Sequence, residues 1–344
     1  MGNTCGYCAK LLLQKYRMPT RILTLSGGGI RGIFQAVFLR EIASNLGGPL
    51  RDHFDLIAGT STGAIIALGI ALNVDLKDIV DLFESNGSKI FPPKQRLARQ
   101  SLVSYGRRGS LYRKEPLRDL LEKVFTDANG MQMQLKDCVP PVLVPATTLN
   151  RYGIRAFTTL ERCGEFSGQR DGELFAADVA LASAAAPLFF PAHQPKGRTA
   201  DQKIRVEERA YVDGGLWSNN PVLQAVMTAR RYWGVSFEDM RVVSVGNGEV
   251  PSGELPISFD NMRRARMLAP AMDMMFATQS ELADETVGTL LDDANFSGKR
   301  MLRINVQLGQ PIGLDDVEAA IAKLKPLAEQ EARLRIGRFR NLLG

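Results

Sequence analysis

The pentapeptide Gly59-Thr60-Ser61-Thr62-Gly63 has the form G-x-S-x-G, a pattern suited to nucleophilic catalysis. A strand that turns this sharply into a helix leaves no room for side chains at the two outer positions. Glycine at 59 and 63 removes those clashes and leaves Ser61 at a helix start, where developing negative charge is favoured. A plain tight turn between a strand and a helix satisfies the same pattern. The run Gly27-Gly28-Gly29-Ile30-Arg31-Gly32 admits three readings. It can be an oxyanion loop, with successive N–H groups aimed at one oxygen and Arg31 adding fixed positive charge. It also matches the G-x-G-x-x-G dinucleotide fingerprint, and it fits a loop that binds nothing. A dinucleotide site needs an acid at the end of the second strand. Asp52 and Asp55 stand before that strand or at its start, so the nearby serine favours the oxyanion reading. The N–H of Thr62 is a further oxyanion donor.

A nucleophilic serine needs a base. The chain has two histidines. His53 precedes the strand that delivers Ser61 and falls at its wrong end, and His193 lies on a loop between prolines. Both read as surface or loop-packing residues. A partly desolvated carboxylate within hydrogen-bond reach can serve instead. Asp213 is the best candidate: it ends a strand, and Gly214-Gly215 lets the chain turn away closely beneath it. In isolation Asp-Gly-Gly is an ordinary turn.

These residues need a frame. Short apolar runs over 21–25 and 54–58 read as strands, each passing through a glycine-rich turn into a helical pattern. Further strands are expected over 142–147, 154–158, 209–212, 241–245 and 303–306. Helices are expected over 33–46, 64–72, 116–125, 176–186 and 221–232, and from about 315 to the tail. The alternation predicts an α/β fold, a mostly parallel sheet with helices on both faces. The composition, 45% hydrophobic and 23% charged with a formal charge of +6, excludes a disordered or fibrous chain and favours anionic partners. Two histidines and four scattered cysteines exclude a three-histidine zinc site and a dense disulfide framework. The uncharged stretch from Gly59 to Val74 is shorter than the roughly 20 residues of a membrane span, and no secretory signal is read. A cytosolic protein is expected.

Taken together, Ser-Gly-Gly-Gly-Ile-Arg-Gly (26–32), Gly-Thr-Ser-Thr-Gly (59–63), Ala-Ala-Pro-Leu-Phe-Phe-Pro-Ala (185–192) and Asp-Gly-Gly-Leu-Trp-Ser-Asn-Asn-Pro (213–221) resemble the four blocks of the patatin-like phospholipases, in the family's order. The resemblance covers about residues 20–250. It implies a three-layer patatin-like domain over that range, with a mainly helical C-terminal extension over 251–344 packed on it. It also implies a metal-free Ser–Asp dyad: Ser61 the nucleophile, Asp213 the proton acceptor, and the loop from Gly27 to Gly32 the oxyanion hole. Ser26 departs from the family pattern, in which many members carry Asp. Within the family the chain most resembles the bacterial cGAMP-activated phospholipases of cyclic-oligonucleotide anti-phage signalling. That likeness implies a phospholipid substrate at the inner membrane surface, a cyclic dinucleotide activator, an antiviral effector role and assembly into a homo-oligomer on activation.

Other readings compete. Cys5-Gly-Tyr-Cys8 has redox spacing but precedes the first strand. The basic segment 94–114, with Tyr105 and Tyr112, could attract nucleic acid or, preferably, anionic lipid. That segment and Arg263-Arg264-Ala-Arg266 are the candidate phosphate contacts for an activator. A dinucleotide-binding oxidoreductase and a constitutive or secreted lipase toxin are the functional alternatives.

Overall fold

The computed structural model describes residues 19–93, 109–150, 152–160, 171–249 and 268–344. Cys5, Cys8, Tyr105, most of the basic segment and the cluster at 263–266 lie outside them. The strands are β1 (Thr20–Leu25), β2 (Leu56–Gly59), β3 (Val142–Thr148), β4 (Gly153–Thr158), β5 (Lys196–Arg198), β6 (Ile204–Val206), β7 (Tyr211–Asp213), β8 (Met240–Val245) and β9 (Met301–Ile304). The helices are α1 (Ile33–Leu46), α2 (Thr62–Ala71), α3 (Leu76–Glu84), α4 (Gly87–Ile90), α5 (Glu115–Val124), α6 (Ala176–Ser183), α7 (Gly215–Ser218), α8 (Val222–Trp233), α9 (Leu268–Leu290) and α10 (Val317–Leu343).

The main sheet runs β4-β3-β2-β1-β8-β9, and β7 also pairs with β3. Pairing is parallel from β3 through β9 and antiparallel where β4 and β7 meet β3. The central strands are apolar on both faces because both are covered. Leu23 and Leu25 of β1 face a core shared with α1, α2, α6 and α10, whereas Ile22 faces a second core with α8 and α9. This is the three-layer arrangement with a mostly parallel sheet that the sequence pattern predicts. α2 is buried at every position and carries no amphipathic stripe, as befits a helix enclosed on all sides. α3, unforeseen by the sequence reading, is strongly amphipathic and capped by the Asp75 carboxylate on the Lys77 N–H. The helix expected over 176–186 stops at Ser183, four residues before Pro187.

Two features of the topology position chemistry. β2 pairs with only the first residues of β3 and ends at Gly59. β7 takes up the edge that β2 vacates, running the other way, with Asp213 opposite Ala146. The C-terminal ends of β2 and β7 therefore meet. In addition, the region after residue 250, expected to be mainly helical apart from a strand over 303–306, gives the sheet its edge strand β9 beside β8. α10 returns over α1, with Phe339 against Phe38 and Phe54.

Candidate active site

Ser61 sits between β2 and α2 at φ 55 and ψ −123, a conformation that a serine holds only when its surroundings impose it. The turn is close-packed: a Cβ on Gly59 would lie 2.1 Å from the Gly63 carbonyl oxygen, and one on Gly63 would lie 2.3 Å from that of Leu25. The Thr60 carbonyl accepts the Gly63 N–H at 2.8 Å and closes the elbow. The Ser61 hydroxyl donates to Asp213 Oδ2 at 2.7 Å. The second oxygen of Asp213 accepts the Gly215 N–H at 2.7 Å. Gly214 passes so near β3 that a Cβ there would stand 2.3 Å from the Pro145 oxygen. Asp213 is buried, and desolvation pushes its carboxyl up to about 6, against the two hydrogen bonds that pull it down.

The glycine loop lies beside this pair, but its members differ in what they offer. The Gly27 N–H is already engaged by the Asn219 carbonyl at 2.9 Å. Gly27 instead provides clearance, because a Cβ would lie 3.2 Å from that of Ser61. The N–H groups of Gly28, Gly29 and Thr62 have no acceptor among the described residues, and all three residues line the cavity that Ser61 and Asp213 face. Gly29 has φ +57, and a Cβ on it would meet the Leu314 oxygen at 2.3 Å. Gly32 backs onto Thr62, whose Oγ1 would lie 2.3 Å from an added Cβ.

Arg31 does not line the cavity, contrary to the expectation of a charge facing an oxyanion. Its Nε–H donates to the Gly28 carbonyl at 3.3 Å, and Nη2 lies 3.8 Å from Asp273 of α9. In a trans peptide the carbonyl and the following N–H point opposite ways. Holding the Gly28 carbonyl therefore orients the Gly29 N–H. Burial lowers the Arg31 pKa, and Asp273 opposes that shift. Neither histidine meets the serine. His53 is half-buried, with Nε2 3.0 Å from the Gly47 carbonyl. His193 is buried rather than on the surface, bonded to Asp178 at 2.8 Å and to Lys114 at 3.4 Å. Tyr112 is buried too; it packs on Phe91 and Phe189 and donates to Asp315 at 2.6 Å, so it offers no ring for stacking a base.

The cavity encloses about 640 Å3 of empty space, its mouth included. Its walls are aliphatic and aromatic, among them Ile65, Leu82, Phe83, Phe190, Phe276 and Leu314. Of these only Phe190 fell within a motif singled out in the sequence, the block 185–192; Phe276 and Leu314 come from the region after residue 250. Leu314 also anchors the glycine loop, its carbonyl accepting the Ile30 N–H at 2.9 Å. Nothing in the pattern around Gly313-Leu314 marks that contact, since a backbone carbonyl carries no residue signature. The arrangement brings together a hydroxyl bonded to a buried carboxyl, three N–H groups with no acceptor among the described residues, and an apolar slot. No group of three metal-ligating side chains occurs among the described residues. No described helix is long and apolar enough to cross a membrane. The strand that a dinucleotide site would end with an acid ends in the serine elbow.

Among known proteins, the chain is 32% identical over 240 residues to a cGAMP-activated phospholipase of Escherichia coli, covering 66% of this chain and 61% of that protein. It is 33% identical over 244 residues to a cGAMP-activated phospholipase of Vibrio cholerae, covering 67% and 64%. A cUMP-AMP-activated phospholipase of Escherichia coli is 30% identical over 239 residues, covering 67% and 65%. The matches span less than two thirds of the length of these relatives. The profile of the patatin-like phospholipases matches residues 23–226, more than half of the chain, running from within β1 through the elbow and past Asp213. By that match the chain belongs to the patatin-like phospholipase family.

Proposed function

We propose that this protein is a lipid acyl hydrolase that releases fatty acids from membrane phospholipids through a Ser61–Asp213 dyad. The observation that carries the reading is the 2.7 Å hydrogen bond from a strained serine hydroxyl to a buried carboxylate at the wall of an apolar cavity. The acyl chain enters the slot, and the ester carbonyl meets Ser61. As Oγ attacks, its proton passes to Asp213 Oδ2. The N–H groups of Gly28, Gly29 and Thr62 stabilise the tetrahedral oxyanion. Asp213 then protonates the departing alcohol and leaves an acyl-serine. A water attacks this ester, giving its proton to Asp213, which returns it to Ser61 Oγ as the fatty acid departs. Burial fits the acid for both roles, because a carboxyl held near 6 exchanges protons readily at neutral pH.

The named relatives support a further element, activation by a cyclic dinucleotide such as cGAMP. An enzyme facing its own cell's inner membrane needs a gate, and an activator that prefers the open state supplies one. In this reading the protein is an antiviral effector, cytoplasmic until it acts on the membrane surface, and it assembles into a homo-oligomer on activation. The test is fatty-acid release from phospholipid vesicles by the purified protein, with and without cGAMP and related cyclic dinucleotides. Low basal release and a rise of about a hundredfold are expected. Equal release in every condition, with no binding by calorimetry, would remove the activator and leave the hydrolase. No release under any condition would remove the hydrolase itself.

A further inference from the structure

We infer that Ser183 is a positioning residue for this reaction, fixing the nucleophile and the acid in one frame. The inference rests on the Ser61–Asp213 reading. Ser183 is the last residue of α6 and is fully buried. Its hydroxyl donates to the Pro145 carbonyl of β3 at 2.7 Å and accepts the Ser61 N–H at 2.9 Å. Its own carbonyl accepts the Gly214 N–H at 3.2 Å, and the Ala185 carbonyl accepts the Asp213 N–H at 3.0 Å. One short segment thus holds the backbones of both members of the dyad and ties them to the same strand.

The contact to Ser61 falls where it matters most. The peptide between Thr60 and Ser61 is planar, so two bonds can pin it. At one end the Thr60 carbonyl accepts the Gly63 N–H at 2.8 Å; at the other the Ser61 N–H reaches Ser183 at 2.9 Å. With both ends held, the peptide cannot turn, and the Ser61 Cα–Cβ bond keeps its aim at Asp213. Without the Ser183 oxygen, a buried N–H loses its acceptor just where the backbone is strained. The elbow then has reason to relax, and a shift of a fraction of an ångström misaligns the attacking oxygen. Asp213 itself stays anchored, since its bonds run to main-chain carbonyls that a side-chain change leaves in place.

The test compares Ser183→Ala with wild type by the rate at which a fluorophosphonate labels Ser61, by kcat and KM, and by thermal melting. Ser183→Ala should lower the labelling rate and kcat together by about tenfold to a hundredfold with KM little changed. Val179→Ala, a buried truncation on the same helix, should lower the melting temperature and leave labelling unaffected well below the melt. Ser183→Cys, which keeps a weaker acceptor in place, should fall between wild type and Ser183→Ala. A wild-type labelling rate in either folded Ser183 variant, or an equal loss in Val179→Ala, overturns the positioning role and leaves the dyad standing. Failure of wild-type Ser61 to label at all overturns the hydrolase reading, and this role with it.

Discussion

Two buried acids in this molecule hold a partner at nearly the same distance, and only one pair has the features of a reaction centre. Asp213 meets the Ser61 hydroxyl at 2.7 Å, and Asp178 meets His193 Nε2 at 2.8 Å. By residue type the second pair looks the more catalytic, since histidine is the commonest general base. Its surroundings argue otherwise. The other ring nitrogen faces Lys114 at 3.4 Å, so a ring that donates to the carboxylate and accepts from the ammonium has both nitrogens satisfied. Neither His193 nor Asp178 lines the cavity. Ser61, in contrast, is held at φ 55 beside N–H groups with no acceptor among the described residues, against an apolar slot. The lesson is that unfinished bonding, strain and access distinguish a site, whereas an acid and a partner at bonding distance do not.

Removing the members of the first pair should have the largest effect. Ser61→Ala and Asp213→Ala should each lower fatty-acid release by at least about a thousandfold, since residues acting as a unit fail together. Circular dichroism should show both variants folded. Substantial turnover in a folded Asp213→Ala protein would mean that the base lies elsewhere.

The buried acid should also show itself through pH. Its carboxyl titrates near 6, so kcat/KM should rise through that pH and level off above it. Stability should move the other way. A carboxyl whose pKa is higher folded than unfolded binds more protons in the native state between the two values. Stability is therefore lost as pH rises from about 4 to about 6. The cost of the buried charge is about 3 kcal/mol at neutral pH. Asp213→Asn should be inactive, and its stability relative to wild type should grow over that same interval. Denaturant melts at pH 4 and pH 7 measure the difference, and an unchanged gap would mean that Asp213 ionises as an ordinary carboxylate.

Arg31 ranks next and bears on how the free donors are aimed. Arg31→Ala should lower kcat about tenfold with KM unchanged, because the Gly28 carbonyl keeps its bond from the Arg31 main chain at 3.1 Å. Arg31→Lys should not restore the rate, since lysine has no donor at the Nε position. A change confined to KM would make Arg31 a substrate-binding residue instead.

How much of this was legible in the sequence depends on how local each feature is. The elbow is written in five consecutive residues, because its geometry is a backbone requirement met by adjacent glycines. The β1 and β2 strands and the helices after them were readable for the same reason. Asp213 was readable only as the end of a strand. That β7 would run antiparallel into the edge left by β2 is a matter of long-range pairing. Ser183 and the Leu314 carbonyl were invisible: one is a small residue in an alanine-rich helix, and the other a main-chain atom more than 280 positions away from the loop it anchors. His193 was legible only as a surface or loop-packing residue. That it is buried depends on Asp178 of α6 and Lys114, just before α5, meeting it from distant parts of the chain.

The smallest effect on activity is expected from the pair that resembles a catalytic one. His193→Ala removes the bond to Asp178 and leaves that buried acid without it. A lost hydrogen bond to a charged group costs about 2 to 3 kcal/mol, so the melting temperature should fall by several degrees. Activity should stay within about threefold of wild type at temperatures well below the melt. The reason is that β7 is positioned by its main chain. Tyr211 and His193 exchange N–H···O bonds at 2.9 and 2.8 Å, and β7 keeps its register on β3 whatever side chain stands at 193. Asp213 therefore arrives at Ser61 without help from the imidazole. A folded His193→Ala protein with turnover as low as that of Asp213→Ala would make the histidine part of the reaction and erase the distinction between the two pairs.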